Sequence, residues 1–222
     1  MRAIAAGSTA LPRPAMYLII LTMQAVPHVI VLAAGASRRL GEPKQLVKIG
    51  GRPLLHRVVS NATSLAGHAV TVVLGAHAND LTRLLAHSPA SVVINREWEE
   101  GIGSSIRRGI ASLPASCDAA MLLLGDQVGL TVEDLRRLTS AWNGAASVIA
   151  ASTYEQHLGV PAIFPHSFFS ELAELRGDEG ARKILERNHY RVTRVPMPNA
   201  AIDLDTPEDL QRLQRNYNNE GS

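Results

Sequence analysis

Ser37, Arg38, Arg39 and Lys44 follow a run of small residues, Ala33, Ala34 and Gly35, in the stretch HVIVLAAGASRRLGEPK from His28 to Lys44. Small residues let a backbone approach a ligand closely and aim its N–H groups at it, while guanidinium and ammonium groups supply the countercharge that several phosphates require. This composition suits a nucleoside triphosphate better than a dinucleotide. A second group with apt chemistry is Asp126, which follows Gly125 at the end of the apolar run Ala119 to Leu124. A carboxylate on a strand tip can hold a Mg²⁺ that bridges phosphate oxygens. Its competing duty is to cap the next helix, but Thr131 is available for that. Asp203, in the stretch AIDLD from Ala201 to Asp205, has no capping duty and is a candidate second metal ligand. Asp205 is read first as the N-cap of the helix begun by Thr206-Pro207-Glu208-Asp209.

These groups need a scaffold that gathers strand ends. Val29 to Leu32 reads as a buried strand, and Pro53 as the first position of a helix. The apolar face of that helix is Leu54, Leu55, Val58, Val59 and Leu65, and Gly67 ends it. Strands over Ala69 to Leu74, Ser91 to Ile94 and Ala119 to Leu124 alternate with helices near Asn79 to Ala86 and Thr131 to Leu138. The alternation predicts right-handed βαβ units and a mainly parallel sheet covered on both faces, with ligands at the carboxyl ends of its strands. NREWEEGIGSSIRRGI, from Asn95 to Ile110, follows a strand end. Its Gly101 and Gly103 make a tight loop, and Ser104 or Ser105 either caps the helix or offers donors to a base or phosphate. Ser147 to Ala151 is a further strand, and YEQHLGVPAIF, from Tyr154 to Phe164, reads as a substrate-side loop and short strand. RGDEGAR, from Arg176 to Arg182, joins two helices, with Asp178 a cap or a substrate ligand. Val192 and Val195 mark an edge strand closed by Pro196 and Pro198.

With 222 residues the chain has room for one large α/β domain, placed over residues 28–215. Residues 1–27 differ in character: the apolar run Met16 to Val26 is too short to span a bilayer, and the segment is read as a disordered extension or an upstream start before Met16 or Met23. Residues 216–222 read as a disordered polar tail. A net charge of +2 gives no argument for a nucleic-acid partner, and nothing points to a membrane. The single cysteine, Cys117, suits a reducing, cytoplasmic setting as a small buried thiol, and the 8 histidines show no metal-ligand spacing.

LAAGASRRLGEPK, the strand-end Gly125-Asp126 and DLDTPEDL from Asp203 to Leu210, in this order and spacing, resemble the nucleotidyltransferase superfamily that contains the molybdenum-cofactor guanylyl- and cytidylyltransferases. NREWEEGIGSSIRRGI, GVPAIF and RGDEGAR look like its cytidylyltransferase branch. The resemblance implies a Rossmann-like three-layer α/β/α fold, as in nucleotide-diphospho-sugar transferases, with a mostly parallel central sheet and a small antiparallel substrate-side section. It implies transfer of CMP from CTP to the terminal phosphate of a molybdopterin cofactor with release of pyrophosphate. Leu32, Ala33, Ala34, Gly35, Ser37, Gly75 and Gly125 would frame the nucleotide, with Ser104 and Ser105 at the base. Arg38 would hold the β- and γ-phosphates, and Lys44 would stabilise charge on the α-phosphate and the leaving pyrophosphate. Asp126 and Asp203, with Asp205 behind them, would hold Mg²⁺ or Mn²⁺. Gly159, Asp178 and Arg182 would lie towards the acceptor. Partners would be the two substrates and a molybdenum hydroxylase or its chaperone, and the chain would be a monomer or weak dimer. Members with LAAG tend to use CTP where guanylyltransferases carry LAGG, so Ala34 favours a pyrimidine.

The chain departs from the family pattern twice. Leu40 replaces the methionine of an RMG motif, a swap of similar volume. Gln127-Val128 stands where the GD motif usually continues to a proline two residues on, and the loss of that proline is expected to loosen the loop or to mark a different acceptor. Alternatives are a transferase of the same fold acting on a sugar or polyol phosphate, and a non-catalytic carrier of cofactor or nucleotide. Arg38, Lys44 and Asp126 together argue against the carrier. A dinucleotide-dependent oxidoreductase is disfavoured because the opening loop lacks G-x-G-x-x-G and Leu74-Gly75-Ala76 stands where an acidic residue would be.

Overall fold

The computed structural model describes residues 25–204 and 206–220. Most of the N-terminal extension and Asp205 therefore lie outside the described residues. The first strand, β1 (His28–Ala33), is apolar from Val29 onward, because both of its faces are covered and an alternating pattern would bury polar groups. A two-residue ladder, β2 (Lys48–Ile49) with β3 (Arg52–Pro53), then leads into helix α1 (Leu54–Ala66). Pro53 is the residue before that helix rather than its first position. Leu54, Leu55, Val58, Val59 and Ala62 form its buried stripe, and each larger side chain contributes about 1.5–3 kcal/mol by leaving water.

Strand β4 (Val70–Leu74), helix α2 (Ala78–Leu84), strand β5 (Ser91–Ile94), helix α3 (Ile102–Ala111) and strand β6 (Ala119–Leu124) continue the alternation. After β6 come helix α4 (Val132–Trp142), strand β7 (Ile149–Tyr154) and strand β8 (His157–Pro165). Helices α5 (Phe169–Ala173) and α6 (Arg182–Arg187), strand β9 (Val192–Pro196) and helix α7 (Pro207–Glu220) complete the order. The seven-stranded sheet runs β5-β4-β1-β6-β8-β7-β9. Strands β5, β4, β1 and β6 are parallel, β8 is antiparallel to both β6 and β7, and β9 is parallel to β7. The stretch Tyr154 to Phe164, expected as a loop and short strand, thus makes one long arm of a hairpin within the main sheet. Its turn holds Glu155 and Gln156 at φ of 48° and 65°, the left-handed pair that a two-residue hairpin turn requires.

Helices α1, α2, α4 and α7 cover one face of the sheet, and α3, α5 and α6 the other. The result is a Rossmann-like α/β/α sandwich with a mostly parallel sheet and a small antiparallel section. Thr131 caps α4 as expected, in a reciprocal box with Asp134. The cap of α7 is Thr206, which corrects the assignment to Asp205: Thr206 Oγ1 accepts from Asp209 N at 3.2 Å, and Asp209 Oδ2 accepts from Thr206 N at 3.0 Å. Helix α7 also runs to Glu220, well into the expected disordered tail. Among the described residues no helix is long and apolar enough to cross a membrane.

Candidate active site

From β1 the chain steps outward through β4 to β5, whereas β6 is laid on the other side of β1. The crevice between the carboxyl ends of β1 and β6 is therefore the point where the winding reverses, the usual place for a ligand in an open α/β sheet. A cleft of about 550 Å³ opens there. It is lined by Leu32 to Arg39, Lys44 and Gln45, by Leu124 to Asp126, and by Trp98, Glu99, Gly101, Ile102, Ser105 and Asp178.

The β1 loop is held from behind by Gln45, which is only 2% exposed. Its Nε2 donates to the carbonyls of Gly35 at 2.9 Å and Ala33 at 3.4 Å, and its Oε1 accepts from Ser37 Oγ at 3.4 Å. Ser37 also accepts from Lys44 N at 3.1 Å, so its hydroxyl shapes the loop. Gly35 faces open space: an added Cβ would meet nothing within 4 Å, which leaves the main chain bare towards the cleft. Leu40 packs on the core from the loop's far side.

The ammonium of Lys44 is ion-paired with Asp126 Oδ2 across the cleft. The other carboxylate oxygen, Asp126 Oδ1, is buried with no hydrogen-bond partner. A buried acceptor without a partner costs about 1–3 kcal/mol, so this atom favours a cation. Among the described residues no cluster of three or more His, Cys, Asp or Glu side chains surrounds it. With so few protein carboxylates, phosphate oxygens and waters would supply most of the ligands, which is how Mg²⁺ is commonly bound. Asp203 is exposed and does not line the cleft. Both carboxylates act on Tyr154, whose phenol is pushed up chiefly by burial and then by the charge of Asp203, with a smaller push from Asp126.

The Gly125 loop is held by bonds that do not depend on a proline. Val128 is buried in the core, and its N–H donates to Asp126 O at 2.8 Å, a bond that a proline could not make. Gln127, 1% exposed, spans three segments. Its Oε1 accepts from Leu124 N at 3.1 Å, and its Nε2 donates to Val160 O at 2.7 Å and Ala200 O at 3.1 Å.

On the β5 side, helix α3 begins at Ile102, so Ser104 and Ser105 lie inside it and do not cap it. Both accept from Asn95 Nδ2, at 2.8 and 3.1 Å, and Ser104 donates back to the Glu97 and Gly101 carbonyls. Of the two, only Ser105 lines the cleft. Gly75 lies behind it, pressed against Trp98: a Cβ there would stand 2.5 Å from Trp98 Cβ. Gly101, at φ +125°, leaves no room for a side chain, since a Cβ would meet Gly177 O at 2.3 Å. The turn at Gly177 is bolted to this loop: Gly103 N donates to Gly177 O at 2.9 Å, Gly177 N to Glu100 Oε1 at 3.2 Å, and Arg107 Nη1 to Leu175 O at 2.7 Å. Arg107 also grips Glu100 with both terminal nitrogens. Asp178, expected towards the acceptor, is brought by this clasp into the same cleft as Ser105 and Trp98.

Gly159 and Arg182 do not line the cleft. Gly159 makes room for the Tyr154 ring, and exposed Arg182 contacts Glu186 and His157. Trp98, Glu99, Gln45 and Tyr154 are residues that the sequence reading did not single out. Trp98 carried a signal, being one of 2 tryptophans in the chain and standing between a strand end and Gly101.

A three-layer α/β protein with a phosphate-type loop after β1 and a strand-tip carboxylate facing a lysine belongs to the nucleotide-binding transferases. Residues 29–192 match the MobA-like NTP transferase domain, and the chain belongs to that family. It is 31% identical over 193 residues to nicotine blue oxidoreductase of Paenarthrobacter nicotinovorans, covering 83% of this chain and 94% of that protein. It is 27% identical to the purine catabolism protein PucB of Bacillus subtilis, covering 84% of this chain and 95% of that one. The solved structure of Rv0371c from Mycobacterium tuberculosis H37Rv in complex with manganese superposes with a TM-score of 0.68 at 27% identity, covering 84% of this chain and 97% of that one. One of these relatives bears the name of an oxidoreductase, so the choice of reaction rests on the site.

Proposed function

We propose that this chain transfers CMP from CTP to the terminal phosphate of a molybdopterin cofactor, releasing pyrophosphate. The observation that carries the reading is the meeting of Lys44 with Asp126 on the cleft wall, where Asp126 Oδ1 is buried and unpartnered beside a main-chain loop bare of side chains. Nucleotidyl transfer needs both a cation for the phosphates and a carboxylate for their metal.

The acceptor phosphate is already a nucleophile, so no catalytic base is required. One of its oxygens forms a bond to the α-phosphorus in line with the bond that breaks, the one to the β-phosphate bridge, and pyrophosphate leaves with that electron pair. Ala33, Ala34 and Gly35 frame base and ribose, Arg38 holds the β- and γ-phosphates, and Lys44 neutralises charge on the α-phosphate and on the leaving group. Asp126 and Asp203 would hold a divalent cation, Mg²⁺ or Mn²⁺, which when bound offsets phosphate charge. The manganese complex of the mycobacterial relative supports that choice of ion. Trp98, Ser105 and Asp178 would wall the base, and the methyl group of Ala34 favours a pyrimidine. Gly159 and Arg182, beside Tyr154, are assigned to the acceptor side.

The test is pyrophosphate release with each nucleoside triphosphate, with and without molybdopterin cofactor, alongside an assay for oxidation of NADH or NADPH. Release with CTP only when cofactor is present supports the proposal. Release with a sugar or polyol phosphate instead would move the chain to another acceptor. Hydride oxidation without pyrophosphate, or cofactor binding without any turnover, would overturn the transfer reading.

A further inference from the structure

Gln127 touches none of the groups assigned to the reaction, yet its side chain joins the three segments that carry them. Leu124, whose N–H it receives at 3.1 Å, ends the strand that presents Asp126. Val160, whose carbonyl it engages at 2.7 Å, adjoins Gly159 on the acceptor-side hairpin. Ala200, whose carbonyl it engages at 3.1 Å, lies three residues before Asp203. The segment around Ala200 has further anchors: Gly129 N donates to Ile202 O at 3.4 Å, Met197 N to Thr153 O at 2.9 Å, and Asn199 Nδ2 to Asp134 Oδ2 at 3.0 Å. Those bonds fix it to the loop after β6, to the sheet and to α4. The Gln127 amide is bonded both to the β6 end and to the segment that leads to Asp203.

We propose that Gln127 is a positioning residue: its buried amide sets the separation between the Asp126 and Asp203 carboxylates, and so the affinity of the nucleotide complex for its divalent cation. The inference rests on the reading of those two aspartates as the metal pair. Both oxygen and nitrogen of the amide are in use, so the residue type is specified: a carboxylate lacks the two donors, and an apolar side chain leaves the Leu124 N–H and two carbonyls unpaired. Groups that orient a metal's ligands without touching the metal are typically worth about 10- to 100-fold in metal affinity.

The test measures Mn²⁺ binding by electron paramagnetic resonance to the full chain saturated with a non-hydrolysable CTP analogue. Wild type is compared with Asp126→Asn, Asp203→Asn and Gln127→Met, which keeps volume and neutrality but removes donors and acceptor. The expected result is a Mn²⁺ Kd raised about ten-fold or more in Gln127→Met, with binding of the CTP analogue in the absence of metal unchanged. Gln127→Asn, which retains the amide on a shorter stem, should fall between the two, and carries the test if Gln127→Met does not fold. Wild-type Mn²⁺ affinity in whichever Gln127 variant folds, while the aspartate variants lose it, overturns the positioning role. Undiminished Mn²⁺ binding in Asp126→Asn and Asp203→Asn would instead overturn the metal pair itself.

Discussion

Lys44 and Asp126 form an ion pair on the cleft wall. Lys44 and Asp126 approach from loops on neighbouring strands, and neither contact is available to a chain lacking either residue. Lys44→Ala and Asp126→Ala are each expected to cut turnover by about 100-fold or more, the usual size for removal of one transition-state electrostatic contact, with the circular dichroism spectrum unchanged. The pair also predicts an order of binding. Without nucleotide a divalent cation must compete with the ammonium for Asp126, so Lys44→Met should bind Mn²⁺ alone more tightly than wild type, as titration by electron paramagnetic resonance would read. Gly75→Ala should act differently: its Cβ would collide with Trp98 and with Ala34 O, 2.8 Å away, displacing the Trp98 side of the cleft. A raised KM for CTP with little change in kcat is the expected kinetic result. The charged residues of this site were readable because Lys, Arg and Asp beside glycines have few other duties. Gln45 and Gln127 were not, since a glutamine's structural role depends on which carbonyls the fold brings near it.

Among the elements, the parallel half of the sheet was legible nearly residue by residue. Ser91 to Ile94 and Ala119 to Leu124 stand as strands with the bounds expected, because runs this short are too brief for a helix of ordinary length and suit a strand. The hairpin of β7 and β8 was hidden for a specific reason. Its turn is Glu155-Gln156, without the Asn or Gly that marks a two-residue hairpin, so the run beyond it looked like a loop and a short strand. Ser104 and Ser105 misled in the opposite sense, because serines near a helix start usually cap it, whereas here Gly101 takes the N-cap position and the hydroxyls turn to Asn95. The clasp between α3 and the Gly177 turn makes its own prediction. The Arg107 guanidinium, aided by the Gly177 N–H, holds the Glu100 carboxyl at about 2 against 4.5 for a free one. A carboxyl depressed in the folded state stabilises fully above its unfolded value, and that contribution is lost as pH falls through about 2. Urea midpoints of the wild type should therefore drop more steeply below about pH 4.5 than those of Glu100→Gln, and high salt should narrow the difference because the pair is exposed.

For the molecule as a whole, the cleft has two sides: the segments after β1 and β6 supply Lys44 and Asp126, and α3 with the Gly177 turn supplies Ser105 and Asp178. Ligand binding should thus stabilise the whole fold cooperatively. Nucleotide at about 100 times its Kd adds about 2.7 kcal/mol, a rise in Tm that calorimetry resolves. CTP with Mg²⁺ should raise Tm more than CTP alone, and Asp126→Ala should abolish the difference between them. Family membership and fold were legible from short motifs because those motifs sit where the winding of the sheet reverses. Which side of the cleft holds Asp178 was not, since that depends on contacts between segments far apart in sequence. The bonds from Gln45 fall on main-chain carbonyls, which every residue possesses. Those two bonds are therefore indifferent to the side chains at positions 33 to 35, whereas the further bond to Gln45 requires the Ser37 hydroxyl. A substitution at position 34 therefore alters what the loop presents to the cleft while the two carbonyl bonds that hold the loop from behind stay available.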